Sequence, residues 1–439
     1  MQVASDTPYV DRTTAARKLQ FRALGSICLL KMQNQEPAVQ TPAPQEGTVR
    51  QTDLFGSHRD TAEQAYGSDI FVPPAARFSD FVDGLRLQDA AGLFPVETRS
   101  SCVWGGASGS GAERYRVLDL FAGMGGFSLG FSQAGFDVVG VDRIPWTGMV
   151  FGRWNIGTAH TIDLSNPESS EQVLAAGAGA SVLIGGPPCR PWSLINQQRR
   201  RAEHADQPLL SRFFDFVREI APRIFVFENV PPVWQDPVYQ HQCELLRQGS
   251  TQYSVSAMIV RYDQFGAPTA RQRLVTVGVR GGGEAATEFF TRLAARLRKP
   301  STVRNAIAWL RDIPRDGESD HAWPKLNTIE KYRERYRTGQ YGWRRLDYDS
   351  PAPSFGNVTK TYVLHPEAGE SGFDERILSV RELLCIMGFP KEFHFPEGIP
   401  LPRRYQMVAD VVSPVFSEAC AHVTREMLAT GAGYGHSGS

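Results

Sequence analysis

The chain has 439 residues, 41% hydrophobic and 21% charged, with 47 basic against 47 acidic side chains and a formal net charge of zero. That length allows two or three domains, each with its own core, and that balance leaves any attraction to nucleic acid to local patches. No apolar run reaches membrane length and no leader-like segment opens the chain, so a cytoplasmic protein without membrane contact is expected.

Residues 1–112 read as an N-terminal extension, largely flexible. Its segment "NQEPAVQTPAPQEGTVRQ" has the composition of a solvated linker. Short helices are expected over Ala15–Lys31 and within "ARFSDFVDGLRLQDAAGLF", Met32 offers an alternative start, and "GGASGSGAE" forms a boundary. Between residues 113 and 280 the texture changes. Apolar strands "YRVLDLFAG", "FDVVGVD", "SVLIGGPP", "RIFVFENV", "YSVSAMIVRY" and "RLVTVGV" are interspersed with helical stretches such as "GFSLGFSQAG", "PLLSRFFDFVREI" and "PVYQHQCELLRQG". This predicts an α/β fold with a doubly wound, Rossmann-like, mostly parallel sheet.

Residues 281–350 are irregular, basic and aromatic, and read as a separate small domain. Residues 351–430 then return to helical pattern. In "SVRELLCIMGFP", Ser379 is placed to cap a helix with Glu382 reaching back, and Gly388 and Pro390 stop it. The last helix is expected in "SPVFSEACAHVTREML", followed by a flexible tail over 431–439.

Six cysteines, Cys28, Cys102, Cys189, Cys243, Cys385 and Cys420, lie far apart without CxxC pairs or companion histidines, so neither a metal site nor a disulfide framework is expected. Four stretches could carry chemistry. "DLFAGMGG" (Asp119–Gly126) is a glycine turn after a strand, and Asp142 ends the next strand, where an acid can accept ribose hydroxyls. Its glycine spacing departs from GxGxxG, which favours a nucleoside cofactor without pyrophosphate.

"GGPPCRPWS" sets Cys189 among prolines at a strand end. It is either a buried structural thiol or a nucleophile at the ligand edge of the sheet, with Arg190 and Arg199–Arg201 supplying charge that favours thiolate. "FENV" ends an apolar strand with Glu228, a helix-capping or ion-paired residue, or an acid for a ring nitrogen. In "GAPTARQR", Arg271 and Arg273 alternate, so both can point to one face, as a solvated strand end or as a clamp.

Taken together and in this order, these stretches resemble the DNA (cytosine-5)-methyltransferase family of bacterial restriction–modification type. "DLFAGMGGFSLGF" resembles its S-adenosylmethionine glycine motif, "PPCRPWS" its nucleophile loop, "ENV" its glutamate motif, and "GAPTARQR" its Gln-x-Arg-x-Arg motif with Thr269 at the Gln position. Two later segments, "SPAPSFGNVTKTYVLHP" and "RILSVRELLCIMGFP", also match. The last motif reads "ADVVSP", with Ala409 and Asp410 where the family has Gly-Asn.

The resemblance implies methyl transfer from S-adenosyl-L-methionine to C5 of a flipped cytosine in duplex DNA through a Cys189 covalent intermediate, with Glu228, Arg271 and Arg273 as catalytic partners. Phe121, Gly123, Gly125, Gly126, Asp142, Asp163 and Pro187 would line the cofactor, and no metal is needed. The loop "SLINQQRRRAEHADQPLL" is a candidate lid, with Arg190, Ser193, Gln197, Arg199 and Arg200 toward DNA. Between Lys325 and Arg345, cations including Arg333, Arg337, Arg344 and Arg345 interleave with Tyr and Trp, a composition suited to phosphates and guanine edges.

Family habit adds a monomer and a cognate restriction endonuclease that acts on the same sequence without stable complex. A tRNA cytosine methyltransferase, a catalytically silent DNA-binding regulator and an NAD-dependent oxidoreductase are the competing readings. The sizeable basic segment and the absent Cys-Phe-Thr tripeptide weigh against the first. The intact Cys189, Glu228 and Arg273 weigh against the second, and the glycine spacing and Cys189 against the third.

Overall fold

A computed structural model describes residues 75–88, 114–192, 206–325, 329, 331, 344–361 and 363–432, all within the larger of two compact units, Gln51–Ser439. Seven strands form one sheet: β1 (Arg116–Leu120), β2 (Asp137–Asp142), β3 (Thr158–Thr161), β4 (Ala180–Gly185), β5 (Ile224–Asn229), β6 (Tyr253–Arg261) and β7 (Gln272–Arg280). Their spatial order is β3-β2-β1-β4-β5-β7-β6. The first five are parallel, and β7 runs antiparallel to both β5 and β6. Six of the strands coincide with the predicted apolar runs. The seventh, β3, has the sequence "TAHT" and largely exposed side chains, so no apolar run marks it.

The apolar runs are continuous because helices cover both faces of the sheet. Along β5, Ile224 and Val226 enter one core while Phe225 and Phe227 enter the other, as the two-residue period of a strand requires. On the second face the helices Pro208–Ile220 and Pro237–Gln248 bring Phe213, Phe214 and Tyr239 against Phe225 and Phe227. Burying each of these phenylalanines contributes roughly 1.5–3 kcal/mol.

On the first face the helix Gly126–Gln133 lies against the long helix Pro414–Ala429, where Ser417 Oγ donates to the Phe127 carbonyl. The helix Ala285–Ala294 packs on β6 and β7 and sends Phe289, Phe290 and Leu293 into the same core.

Part of the N-terminal extension belongs to this architecture. The helix Phe78–Gln88 buries Phe78 and Val82, with Phe78 against Phe265 and Phe290. Just before it, the Ile259 amide donates to the Ala76 carbonyl at 2.9 Å, and Arg77 bridges Ile259 in parallel. The segment thereby pairs with the outer edge of β6.

The predicted capping box is present. Ser379 Oγ accepts from the Glu382 amide at 3.1 Å, and Glu382 Oε2 accepts from the Ser379 amide at 2.7 Å. The expected helix Ala15–Lys31, the linker and the tail beyond residue 432 lie outside the described residues. Among the described residues no helix is long and apolar enough to cross a membrane.

Candidate active site

The parallel strands end at one edge of the sheet, and side chains of every strand but β3 are brought there. At the end of β1 the chain turns sharply: Phe121 (φ 64°), Gly123 (φ 56°) and Gly125 (φ 80°) all adopt left-handed backbone. Glycine tolerates that conformation without cost, whereas Phe121 holds it under strain of about 1–2 kcal/mol. The Gly123 amide donates to Asp142 Oδ2 at 2.7 Å and the Ile144 amide to Oδ1 at 2.8 Å, so β2's terminal carboxylate is tied to the turn. Burial pushes the Asp142 carboxyl above its usual range, against these amides.

Asp119 lies deeper, accepts from Ser128 Oγ at 2.6 Å, and is pushed up to about 7 by burial, with Asp142 adding to the rise. Gly126 is required for a different reason. A Cβ there would lie 2.3 Å from both Val411 Cγ2 and the Val412 carbonyl, so the returning C-terminal segment presses directly on the turn.

Space over Gly123 is open, since a Cβ there would meet nothing closer than the Phe121 carbonyl at 4.0 Å. An open left-handed turn beside a buried carboxylate fits the adenosyl and methionine parts of a nucleoside cofactor. Asp163 lies just beyond β3, whose Thr161 pairs with Asp142. It is exposed, and its Oδ1 accepts from both the amide (2.9 Å) and hydroxyl (2.7 Å) of Ser165, which hold the carboxyl below its usual range.

Beyond β4 the Cys189 loop is fixed by more than its prolines. Asn229 Nδ2, from the end of β5, donates to the Pro187 carbonyl at 3.1 Å. Trp192 is buried, its amide closes a turn on the Cys189 carbonyl at 3.0 Å, and its Nε1 donates to Asp236 Oδ2 at 2.6 Å. Asp236 Oδ1 meanwhile caps the helix Pro237–Gln248 by accepting from the Val238 amide at 2.8 Å.

Cys189 itself is half-buried. Burial raises its thiol above the ordinary value, Arg273 and Arg271 oppose that, and Asp410 and Glu228 reinforce it. Arg190 is exposed and reaches Asp206 at 3.6 Å, and Arg199–Arg201 lie outside the described residues; the buried Arg273 of β7 and Arg271 just before it oppose the rise of the thiol.

Glu228 ends β5 in a buried position, with Arg273 Nε 2.7 Å from its Oε1. Arg273 is buried too; burial works against its charge, but Glu228, Tyr262 and Cys189 outweigh it and hold the guanidinium above its usual value. The pairing depends on the reversal of β7. Because β7 is antiparallel to β5, its first residues, and not its last, meet the end of β5, with Asn229 opposite Leu274.

Arg271 precedes the strand and donates to the carbonyls of Phe355 (2.8 Å) and Ala409 (2.7 Å), which clamps two returning segments beside the site. Burial and the nearby Arg273 push it down to about 10. Such a cluster, a constrained thiol beside an arginine-paired carboxyl, suits covalent catalysis on a ring that needs both a nucleophile and a hydrogen-bonding acid.

The family of C-5 cytosine-specific DNA methylases matches this chain over residues 115–425. The chain belongs to that family. It is a DNA (cytosine-5)-methyltransferase, with relatives among bacterial type II enzymes. Type II methyltransferase M.HgiDI of Herpetosiphon aurantiacus is 30% identical over 288 residues, 64% of this chain and 85% of that protein. Type II methyltransferase M1.HphI of Haemophilus parahaemolyticus is 28% identical over 333 residues, 71% of this chain and 86% of that protein. Among solved structures, the Entamoeba histolytica methyltransferase EhMeth superposes with a TM-score of 0.54 at 16% identity, and S. pombe Dnmt2 with 0.53 at 15%. Each alignment covers 72% of this chain and 99% of the other, and shows the shared fold.

In this methyltransferase, Cys189, Glu228, Arg271 and Arg273 lie close enough to act on one another electrostatically. Arg344 and Arg345 form an exposed two-residue strand parallel to Val363–Leu364, with Arg345 Nη1 3.3 Å from Glu370 Oε1. Ser193, Gln197, Arg199, Arg200, Arg333 and Arg337 lie outside the described residues. Sequence reasoning missed Asn229, Trp192, Asp236 and Tyr262, whose hydroxyl donates to Glu228 Oε1 at 3.0 Å. Asn229 was legible, since it stands beside Glu228 inside the quoted "ENV"; a tyrosine following a strand carries no such signal.

Proposed function

We propose that this methyltransferase uses S-adenosyl-L-methionine to methylate C5 of a cytosine flipped out of duplex DNA, through a covalent bond between Cys189 and C6. The observation that carries this reading is the meeting of Cys189, Glu228 and Arg273 at the sheet edge that also carries the open Gly123 turn and Asp142. Phe121, Gly123, Gly125, Gly126, Asp142, Asp163 and Pro187 would hold the cofactor, which when bound supplies an electrophilic methyl group.

Cytosine C5 is too weak a nucleophile alone. Cys189, as thiolate, adds to C6; the electron pair of the C5–C6 bond moves toward C5 while Glu228 hydrogen-bonds at N3 and the exocyclic amine. Arg273 holds O2, and Arg271 keeps the surrounding segments in place. After C5 has been alkylated, a base removes its proton, the C6–S bond breaks, and the ring regains aromaticity with thiolate as leaving group. Burial raises the Cys189 thiol while Arg273 and Arg271 pull it down, so these two arginines are the groups that favour thiolate here.

A base inside a stacked duplex cannot reach Cys189, so the target must leave the stack, at a cost of a few kcal/mol. Residues 281–350 would then select the sequence, with Arg190, Ser193, Gln197, Arg199, Arg200, Arg333, Arg337, Arg344 and Arg345 toward DNA. The resulting role is protection of host DNA in a restriction–modification system. The enzyme would act in the cytoplasm as a monomer, without a stable complex with its cognate endonuclease.

The test is transfer of isotopically labelled methyl groups to duplex DNA. Cys189→Ser should abolish incorporation, and Glu228→Gln should reduce it by about 10²–10⁴-fold. Duplexes carrying 5-fluorocytosine should trap a denaturation-resistant complex with the native chain and none with Cys189→Ser, because fluorine cannot leave C5 as a proton does. Full activity of Cys189→Ser would overturn the covalent route. Bisulfite sequencing of DNA from an expressing host reads out the recognised site.

A further inference from the structure

We propose that Tyr262 is a positioning residue that, together with Arg273, confines the transferable proton of Glu228 to one oxygen, Oε2. This rests on the acid role of Glu228 given above and concerns how that role is set up.

The two carboxyl oxygens of Glu228 stand in different surroundings. Oε1 receives Arg273 Nε at 2.7 Å and the Tyr262 hydroxyl at 3.0 Å. Neither of these bonds involves Oε2, which lies against Gly186, where an added Cβ would be only 2.9 Å from it. A guanidinium has donors and no acceptor, so a proton on Oε1 would point into a donor. With the tyrosine donating to the same atom, Oε1 is an acceptor twice over. The proton of the acid form is left to Oε2, on the side of the Cys189 loop to which Gly186 belongs.

Tyr262 is built for that task. It follows β6, and its amide donates to the Arg271 carbonyl at 3.1 Å, in continuation of the β6–β7 ladder that sets Val260 opposite Arg273. Its ring is buried and stacked on Phe416, with centroids 5.2 Å apart and planes 25° from parallel. Burial first, and Glu228 next, push its hydroxyl well above the usual phenol value, so it remains a neutral donor. The charged or titratable groups around this corner are Arg271, Arg273, Cys189 and Asp410, besides Glu228 itself.

Tyr262→Phe removes one donor and keeps the ring that stacks on Phe416. In the full chain, kcat for methyl transfer should fall about tenfold, the scale of a lost hydrogen bond to a charged group, with KM for duplex DNA unchanged. The limb of the kcat–pH profile that reports the carboxyl should move to higher pH, since a donor that favours its ionised form is gone. A difluorotyrosine at position 262, a stronger donor of nearly the same shape, should move that limb to lower pH and keeps the test open should the phenylalanine variant fold poorly.

Glu228→Gln measured alongside separates the two layers. A fully active Glu228→Gln would overturn the acid role itself. An inactive Glu228→Gln with a Tyr262→Phe enzyme of native kcat and unmoved profile would overturn only the positioning role.

Discussion

At the end of β2 a buried carboxylate, Asp142, is held by two backbone amides, and nearby Asp119 by a serine hydroxyl. At the end of β5 another, Glu228, is held by an arginine and a tyrosine. The amides and the hydroxyl bring dipoles but no full charge, so burial wins and both aspartates are pushed up. The guanidinium brings a unit charge into the same kind of burial and is itself held above its usual value in return. A dipole-held carboxyl stays receptive to the neutral hydroxyls of a nucleoside, while an ion-paired one is fixed in direction. In the proposed function, the cofactor side and the catalytic side would thus use one residue class for two purposes.

That contrast can be broken on the catalytic side with the largest effect. Arg273→Leu strands Glu228 in a buried place, and unfolding in urea should show a loss of about 3–5 kcal/mol, along with loss of methyl transfer. If the variant unfolds at the native midpoint, the pair does not carry the charge assigned to it.

On the cofactor side, Asp119→Asn should cost much less and should change the pH dependence instead. Asp119 in the fold binds its proton up to about 7, against an ordinary 3.8. Its contribution to stability is therefore complete below 3.8 and is lost as pH rises toward about 7. The asparagine variant should lack that part of the slope in a series of unfolding curves, and an unchanged slope would show that Asp119 is ionised when buried.

The smallest effect is expected between the two sides. Asp410 is exposed at the end of the helix Leu401–Asp410, and its negative charge opposes ionisation of Cys189. Asp410→Asn should therefore lower the thiol's pKa and speed alkylation by iodoacetamide at neutral pH. A slower reaction in the variant would contradict the sign.

Much of this was legible before any coordinates. Uninterrupted Val, Ile and Phe runs reveal strands covered on both faces, and Cys189 and Glu228 follow neighbouring runs of that kind, which places them at one edge. The reversal of β7 left no such trace, because "RLVTVGV" reads alike in either direction and only its pairing with β5 and β6 distinguishes them. β3 escaped because an exposed edge strand needs no apolar side chains.

The charges around Cys189 were only partly legible, for a related reason. Arg190 is near in sequence but faces Asp206, whereas Arg273 is 84 residues away and acts on the thiol. Chain proximity says little about a field inside a folded site.

Asn229 joins the two reacting groups mechanically. It follows Glu228 directly on β5, and its amide grips the Pro187 carbonyl two residues before Cys189, while its own Oδ1 is held by the Val230 amide at 2.8 Å. The Cys189 loop and Glu228 are thereby mounted on one bracket. In the proposed reaction this tie would carry the thiol and the carboxyl together and keep their spacing. Alignment with the incoming ring is then a matter of docking one rigid jaw and not two independent ones, which lowers the number of coordinates that binding energy has to fix before chemistry begins.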